Sequence, residues 1–543
     1  MLPILLCDKK EVIGDGRIFE FEDFFLNILT FVGDVSVMAV KTPLKDIIVI
    51  LPGIMGSVLQ KDGTDLWNVS GQVMWQIVKS LGNRLKDLKL EGDDPNGGDI
   101  GDGIKPTRLI SDTYMIPGFG GFWKIVDGYN RTSDQITKNF EVIEGNIYDD
   151  LEDKAANFYH FPYDWRRDNR ANAHILKSLL DKRLKRWREY SGHNDAKVIL
   201  LAHSMGGLIS RYYLEVLGGW QECKALFTFG TPYRGSLNAV NILANGFKKG
   251  GIDLINVMKL KEVIPSLTSI YQLLPRYKAL KIGNDFYRIG ESPNDLPNID
   301  RTKAADALKF YDEIDNAADA NKENLTYRNS FVTCPIVGVQ QPTLQSAELV
   351  DGVITVSEVL PSWLSDRSHL SDGDGTVPQV SATPVQMRDL EALAIVDYIA
   401  ESHGALQNQP NVLLNLLKGI QTAQTASLDD VRGSLEIVTR GGIRGLKGIG
   451  LSLDDLYLVN EPITMRAKVA ESTAFNSITA EITCVSHERP TNVRNFTAEN
   501  GNLVMTADNL EAGIYQVKVQ TDNNSEDAPS PVHNLFEVAD LGE

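Results

Sequence analysis

The sequence predicts an α/β fold followed by a β-sandwich, and three observations carry that expectation. Residues 197–214 read as an apolar strand, a tight turn bearing Ser204, and a stretch of helical spacing. Residues 46–57 repeat the strand-and-turn half of that pattern, an apolar run ending in Pro52-Gly53-Ile54-Met55-Gly56-Ser57. Residues 453–538 then switch to short alternating runs separated by turn residues, as in 463–469, 478–484 and 514–519.

The first of these is the nucleophile elbow of the α/β-hydrolase fold. A sharp turn lifts a serine hydroxyl out of the sheet, and small residues two places before and after it let strand and helix approach. Ala202 and Gly206 supply them, so the first position departs from glycine by one methyl.

A serine hydroxyl is a poor nucleophile until a base takes its proton and an acid orients the base. In this fold the order is serine, acid, histidine. His403 follows a helical run at residues 388–400 and lies in a polar loop, where the base belongs. His369 precedes the acid candidates and has the wrong order. Those candidates are Asp372 and Asp374, set among loop glycines at 371–378. A calcium loop would space two carboxylates similarly, but its twelfth position would be Thr383, which cannot be the bidentate ligand. No metal and no cofactor are expected. Backbone amides complete such a site by stabilising a tetrahedral oxyanion. Met205, after the nucleophile, and Ile54, in the early glycine-rich turn, are the candidate donors.

Six segments occur in order: 51–59 (LPGIMGSVL), 161–166 (FPYDWR), 202–207 (AHSMGG), 230–235 (GTPYRG), 373–378 (GDGTVP) and 402–404 (SHG). As an ordered set, spanning roughly residues 45–410, they resemble the lecithin:cholesterol acyltransferase family. The resemblance implies a triad of Ser204, Asp374 and His403, with Ile54 and Met205 as the oxyanion hole. It also implies action on glycerolipid esters through an acyl-serine, the acyl group passing to water or an alcohol. Vertebrate members carry a disulfide in the lid. Here Cys7, Cys223, Cys334 and Cys484 offer no pair at such a spacing, so packing alone must hold the lid.

The predicted organisation is an N-terminal extension at 1–44, an α/β-hydrolase domain at 45–425, and an immunoglobulin-like β-sandwich at 430–543. A lid occupies about 60–125 and a mostly helical cap about 241–330. A basic helix at 171–190 precedes the nucleophile strand, and another helix spans 412–424. Apolar residues at 74, 77, 78, 81, 85 and 88, with Trp75 and interspersed Lys79, Arg84, Lys86 and Lys89, suit a membrane-surface helix or a lid helix packed on the core. The aromatic segment 114–123, including Trp123, suits an acyl groove or ordinary core. Trp165 is expected as a wall of the site, with Asp164 or Arg166 behind it. A solvated ion pair is the alternative for the last two.

A chain of 543 residues, 43% apolar and 23% charged, is ordinary for a globular protein of more than one domain. Its net charge of −18 argues against a nucleic-acid partner and against general attraction to anionic membranes. The N-terminus lacks the basic start of a signal peptide, and no apolar run reaches 18 residues. With four cysteines, this favours a cytoplasmic protein, peripheral at a membrane if it meets one. A lipid is the expected partner, and the sandwich could contact a protein. An esterase for soluble short-chain esters, and a non-catalytic binding protein on the same frame, remain alternatives.

Overall fold

Seven strands, mostly of branched aliphatic and aromatic residues, form the central sheet of the computed structural model: β1 (Ile47–Leu51), β2 (Glu144–Asn146), β3 (Phe158–His160), β4 (Val198–His203), β5 (Cys223–Phe229), β6 (Val332–Gly338) and β7 (Asp397–Ile399). Their spatial order is β7-β6-β5-β4-β1-β3-β2, and every pair is parallel. β1, β4 and β6 are buried at every residue. A parallel sheet covered on both faces has no solvent side, so such strands read as continuous apolar runs.

The structure describes residues 41–68, 82–111, 113–115, 124–126, 128–149, 155–249, 252–253, 260–385, 396–425, 448–469, 475–499, 501–523 and 528–540. The chain divides into two units, 1–41 and 42–543, and all these residues except Lys41 belong to the second.

The longer helices among the described residues are α1 (Asn130–Asn139), α2 (Asn169–Ser191), α3 (Met205–Glu215), α4 (Leu237–Asn245), α5 (Arg301–Lys322) and α6 (Pro410–Thr425). The Asp168 carboxylate caps α2 by accepting from the Arg170 amide, and Gly192, at φ 75°, ends it in the left-handed conformation that glycine tolerates. No helix among the described residues is long and apolar enough to cross a membrane.

Three expectations change here. In the lid region, 69–81 lie outside the described residues, and the rest of the expected helix is a 3₁₀ turn, Gly82–Leu88. Leu85 and Leu88 are buried while Arg84, Lys86 and Lys89 face solvent, so this part packs on the core. The cap is less helical than expected. Between α4 and α5 a hairpin, Leu280–Ile282 with Asp285–Tyr287, joins Ser346–Val350 and Val353–Ser357 in a four-stranded sheet. The run expected as helix up to residue 400 ends as the edge strand β7, because Asp397 to Ile399 pair with Ile336 to Gly338. Residues 386–395 lie outside the description.

The C-terminal region is sandwich-like. One sheet orders Ile449–Ser452 (β8), Ile463–Val469, Asn502–Ala507 and Thr497–Glu499. The other orders Leu456–Leu458, Val532–Ala539 (β10), Gly513–Thr521 (β9), Ile478–Cys484 and Asn492–Asn495. Burial alternates along Ile478–Cys484, as the two-residue period of a half-buried strand requires. Met465, Ile482, Val517 and Phe536 meet in a core of their own.

Candidate active site

Ser204 sits between β4 and α3 with φ 51° and ψ −122°, a conformation that L-residues rarely adopt outside functional turns. Its amide donates to the Phe229 carbonyl at 2.8 Å, and its carbonyl accepts from Thr231 Oγ1 at 3.0 Å. The small-residue requirement is physical: a Cβ on Gly206 would lie 2.6 Å from the Pro52 carbonyl oxygen.

Asp374 follows β6 in a turn whose backbone aims its carboxylate. The amides of Thr376 and Val377 donate to Oδ1 at 2.9 and 2.7 Å, which leaves Oδ2 for His403 Nδ1, 2.7 Å away. The His403 amide donates to the Asp374 carbonyl at 2.9 Å. On the far side of the ring, His403 Nε2 lies 2.9 Å from Ser204 Oγ. The structure thus brings Ser204, His403 and Asp374 into one line, and all three are buried. Asp372, two residues away, is exposed and outside it.

Gly230 makes that line possible. Its φ is 57°, and a Cβ there would stand 2.8 Å from both Asp374 Oδ2 and His403 Nδ1. The early turn also runs against Ser204, since a Cβ on Gly53 would lie 3.0 Å from Ser204 Cβ. The adjoining amide of Ile54 and that of Met205 find no acceptor among the described residues.

Segment 161–166 plays a different part from a site wall. Tyr163 Oη donates to the Pro52 carbonyl at 2.9 Å and Trp165 Nε1 to the Ser57 carbonyl at 3.1 Å, so it props the early turn from behind. The Trp165 ring packs edge-on against Trp67 in full burial. Arg166 is equally buried. Its Nε and Nη2 donate to Asp164 at 2.9 and 2.6 Å, and Nη2 also reaches Asp102 at 2.7 Å, which excludes a solvated pair. Trp75 and Trp123 lie outside the described residues.

Two residues near the line escaped sequence reasoning. His203 Nδ1 lies 3.1 Å from Tyr129 Oη, which accepts from the Gly53 amide at 2.8 Å. His203 Nε2 lies 3.1 Å from the His403 carbonyl. Burial, together with the neighbouring His403, pushes the His203 imidazole down to about 3, so it is neutral. Its place beside Ser204 was the only available signal; nothing local marks Tyr129. A cavity of about 220 Å³ adjoins the site, lined among others by Asp374, His403, Gly404, Lys124, Leu451 and Asp455.

A parallel sheet with a serine on a strained strand-to-helix turn, faced by histidine and aspartate, defines an α/β-hydrolase-like protein. The chain belongs to the lecithin:cholesterol acyltransferase family, whose profile matches residues 152–424 and so includes all three residues of the line. The lysosomal phospholipase A and acyltransferase of Homo sapiens is 31% identical over 235 residues, 41% of this chain and 52% of its own length. Phospholipase A(1) LCAT3 of Arabidopsis thaliana is 26% identical over 296 residues, 47% of this chain and 64% of its own. The chain thus spans about half to two thirds of these relatives. Among solved structures, the mature form of Bacillus licheniformis lipase BlEst2 aligns at 13% identity and a TM-score of 0.32, over 70% of this chain and 94% of its own.

These relatives overturn the cytoplasmic expectation, since the human protein and its Canis lupus familiaris counterpart are lysosomal. The premise was at fault. Cys223, Cys334 and Cys484 are buried as free thiols, and a core of this size needs no disulfides in any compartment.

Proposed function

We propose that the chain is a serine-dependent acyl hydrolase or acyltransferase that cleaves glycerolipid esters of the phospholipase A type. The observation that carries the reading is the unbroken line from Ser204 Oγ through the His403 ring to Asp374 Oδ2, at 2.9 and 2.7 Å. His403 Nε2 takes the hydroxyl proton as Oγ attacks the ester carbonyl. Asp374 holds the tautomer that keeps Nε2 free and stabilises the imidazolium. The amides of Ile54 and Met205 receive the oxyanion, a contribution worth about 10²- to 10³-fold in rate per donor. Collapse breaks the ester bond, and His403 returns the proton to the leaving alcohol. Water or a second alcohol then attacks the acyl-serine, with His403 again as base.

Family membership supports a lipid as the substrate, presented at a bilayer surface. The buried triad means that some movement must precede its entry. The domains are read as a hydrolase at 45–425, with lid and cap, and an immunoglobulin-like sandwich at 430–543. The test is mass spectrometry of mixed-phospholipid liposomes incubated with wild type and with Ser204→Ala. Fatty acid and lysolipid formed by wild type alone support hydrolysis, and acyl-alcohol products support transfer. A chain that turns over p-nitrophenyl butyrate but no liposome lipid would be a soluble esterase. One that a fluorophosphonate fails to label at Ser204 would not be a serine enzyme.

A further inference from the structure

We propose that the C-terminal sandwich is a working part of the active site, and that its His533 is a positioning residue for the loop carrying His403. The inference rests on the reading of Ser204, His403 and Asp374 as a catalytic triad. The sandwich lies beyond the residues matched to the family, yet it reaches both loops that hold the acid–base pair.

The first grip is on the histidine loop. Glu401, two residues before His403, is wholly buried. A buried carboxylate must be paired to be tolerated. Its Oε1 accepts from the Ser402 amide at 2.9 Å and the His533 amide at 2.8 Å, while Oε2 faces His533 Nδ1 at 2.9 Å. Ser402 Oγ in turn donates to the His533 carbonyl. Without the sandwich, Oε1 would keep one of these bonds and Oε2 none. Next along β10, Asn534 Oδ1 and the Leu535 carbonyl accept from Lys124 Nζ at 3.2 and 3.0 Å. Lys124 is two residues before Val126, whose amide donates to the Gly404 carbonyl at 3.0 Å. Ala405 and Val126 pack with Ile514 and Leu535 of the sandwich in one apolar cluster.

The second grip is on the aspartate loop. The Gln341 side chain pairs with β8 as a strand would. Nε2 donates to the Ile449 carbonyl at 2.9 Å and Oε1 accepts from the Leu451 amide at 3.0 Å. The Gln341 backbone exchanges bonds of 2.9 and 3.2 Å with Gly373, the neighbour of Asp374. The sandwich therefore sets where acid and base meet, and a misplacement of about 1 Å there costs about 10²-fold in rate.

The test uses the full chain with His533→Ala, and with His533→Asn, whose amide N–H can replace the Nδ1 donor. Three quantities are read: kcat and KM on p-nitrophenyl butyrate, the rate of fluorophosphonate labelling, and the low-field proton resonance of the His403–Asp374 hydrogen bond, assigned by its loss in His403→Ala. His533→Ala should lower kcat and labelling by about 10- to 100-fold with KM within twofold, and broaden the resonance. His533→Asn should restore most of each. Wild-type values in His533→Ala, or equal losses in both variants, would overturn the proposal. If wild type itself is not labelled, the catalytic reading fails separately, and the response of the resonance alone decides the positioning role.

Discussion

The imidazole Nε2 of His203 donates to the backbone carbonyl of His403, 3.1 Å away. The residue preceding Ser204 is thus bonded to the backbone of His403. The other ring nitrogen continues the chain through Tyr129 Oη to the Gly53 amide. Directions are fixed along it: Gly53 donates to Tyr129, Tyr129 donates to Nδ1, and the Nε2 proton goes to His403. One buried thread therefore joins the turn at Gly53, the strand end before Ser204 and the loop carrying His403.

Tyr129→Phe tests that thread. The ring packing survives, but the Gly53 amide and His203 Nδ1 lose a buried partner. Unsatisfied buried polar groups cost about 1–3 kcal/mol, so a lower urea midpoint is expected, together with reduced kcat. Unchanged values in both would mean that water replaces the hydroxyl at no cost.

Gly230→Ala is a sharper steric probe. The added methyl would press against the Asp374–His403 contact from the side, at 2.8 Å from both Asp374 Oδ2 and His403 Nδ1, on a residue with φ 57°. We expect kcat to fall by about 10²-fold or more while the far-ultraviolet circular dichroism is kept. Full activity would show that the loops yield at this point.

The choice between two aspartates can be settled the same way. Asp374→Asn keeps the shape but presents the wrong charge and favours the wrong tautomer of His403. A loss of about 10⁴-fold in kcat is expected. Asp372→Asn, on an exposed residue, should stay within twofold. The reverse result would reassign the acid.

The central sheet was legible because buried parallel strands leave an unbroken apolar signal, and Val198 to His203 carries it straight into the elbow. The line of Ser204, His403 and Asp374 was legible in part: the strand-turn-helix around Ser204 and the chain order are local signals, while the choice of Asp374 over Asp372 came from the resemblance. Tyr129, Glu401 and His533 were not, since the contacts Tyr129–His203 and Glu401–His533 join residues 74 and 132 apart in the chain. The cap hairpin at 280–287 was missed for a similar reason. It is a strand pair stabilised by Ser346–Val350, and short runs do not announce a distant partner. Within 161–166, Trp165 was expected as a wall and instead donates to the Ser57 carbonyl behind the early turn, because aromatic content does not tell a site wall from a prop.

Asp164→Ala addresses that task. It would leave the fully buried Arg166 guanidinium with only the partly exposed Asp102 as its ion-pair partner. Breaking a buried pair by removing one member typically costs about 3–5 kcal/mol. The urea midpoint should drop accordingly, and KM for a soluble ester should not change. A selective rise in KM would instead return Asp164 to the substrate site.

The last prediction concerns acid. Burial pushes His203 down to about 3 and His160 to about 4, from an ordinary value of 6.5. The unfolded chain therefore takes up protons below pH 6.5 that the folded chain refuses. Their contribution to stability is complete above pH 6.5 and declines as pH falls towards 4, by up to about 1.4 kcal/mol per pH unit for each histidine. Asp168 and Asp397, whose burial raises their carboxyls, act in the opposite sense at the acid end of this window. Urea midpoints of wild type should fall from pH 7 to pH 5. His160→Gln, whose amide can still bond Ser133 Oγ, should fall less steeply, since one of the two refused protons is gone. Parallel pH profiles for the two proteins would mean that His160 takes up its proton in the folded state near its ordinary value.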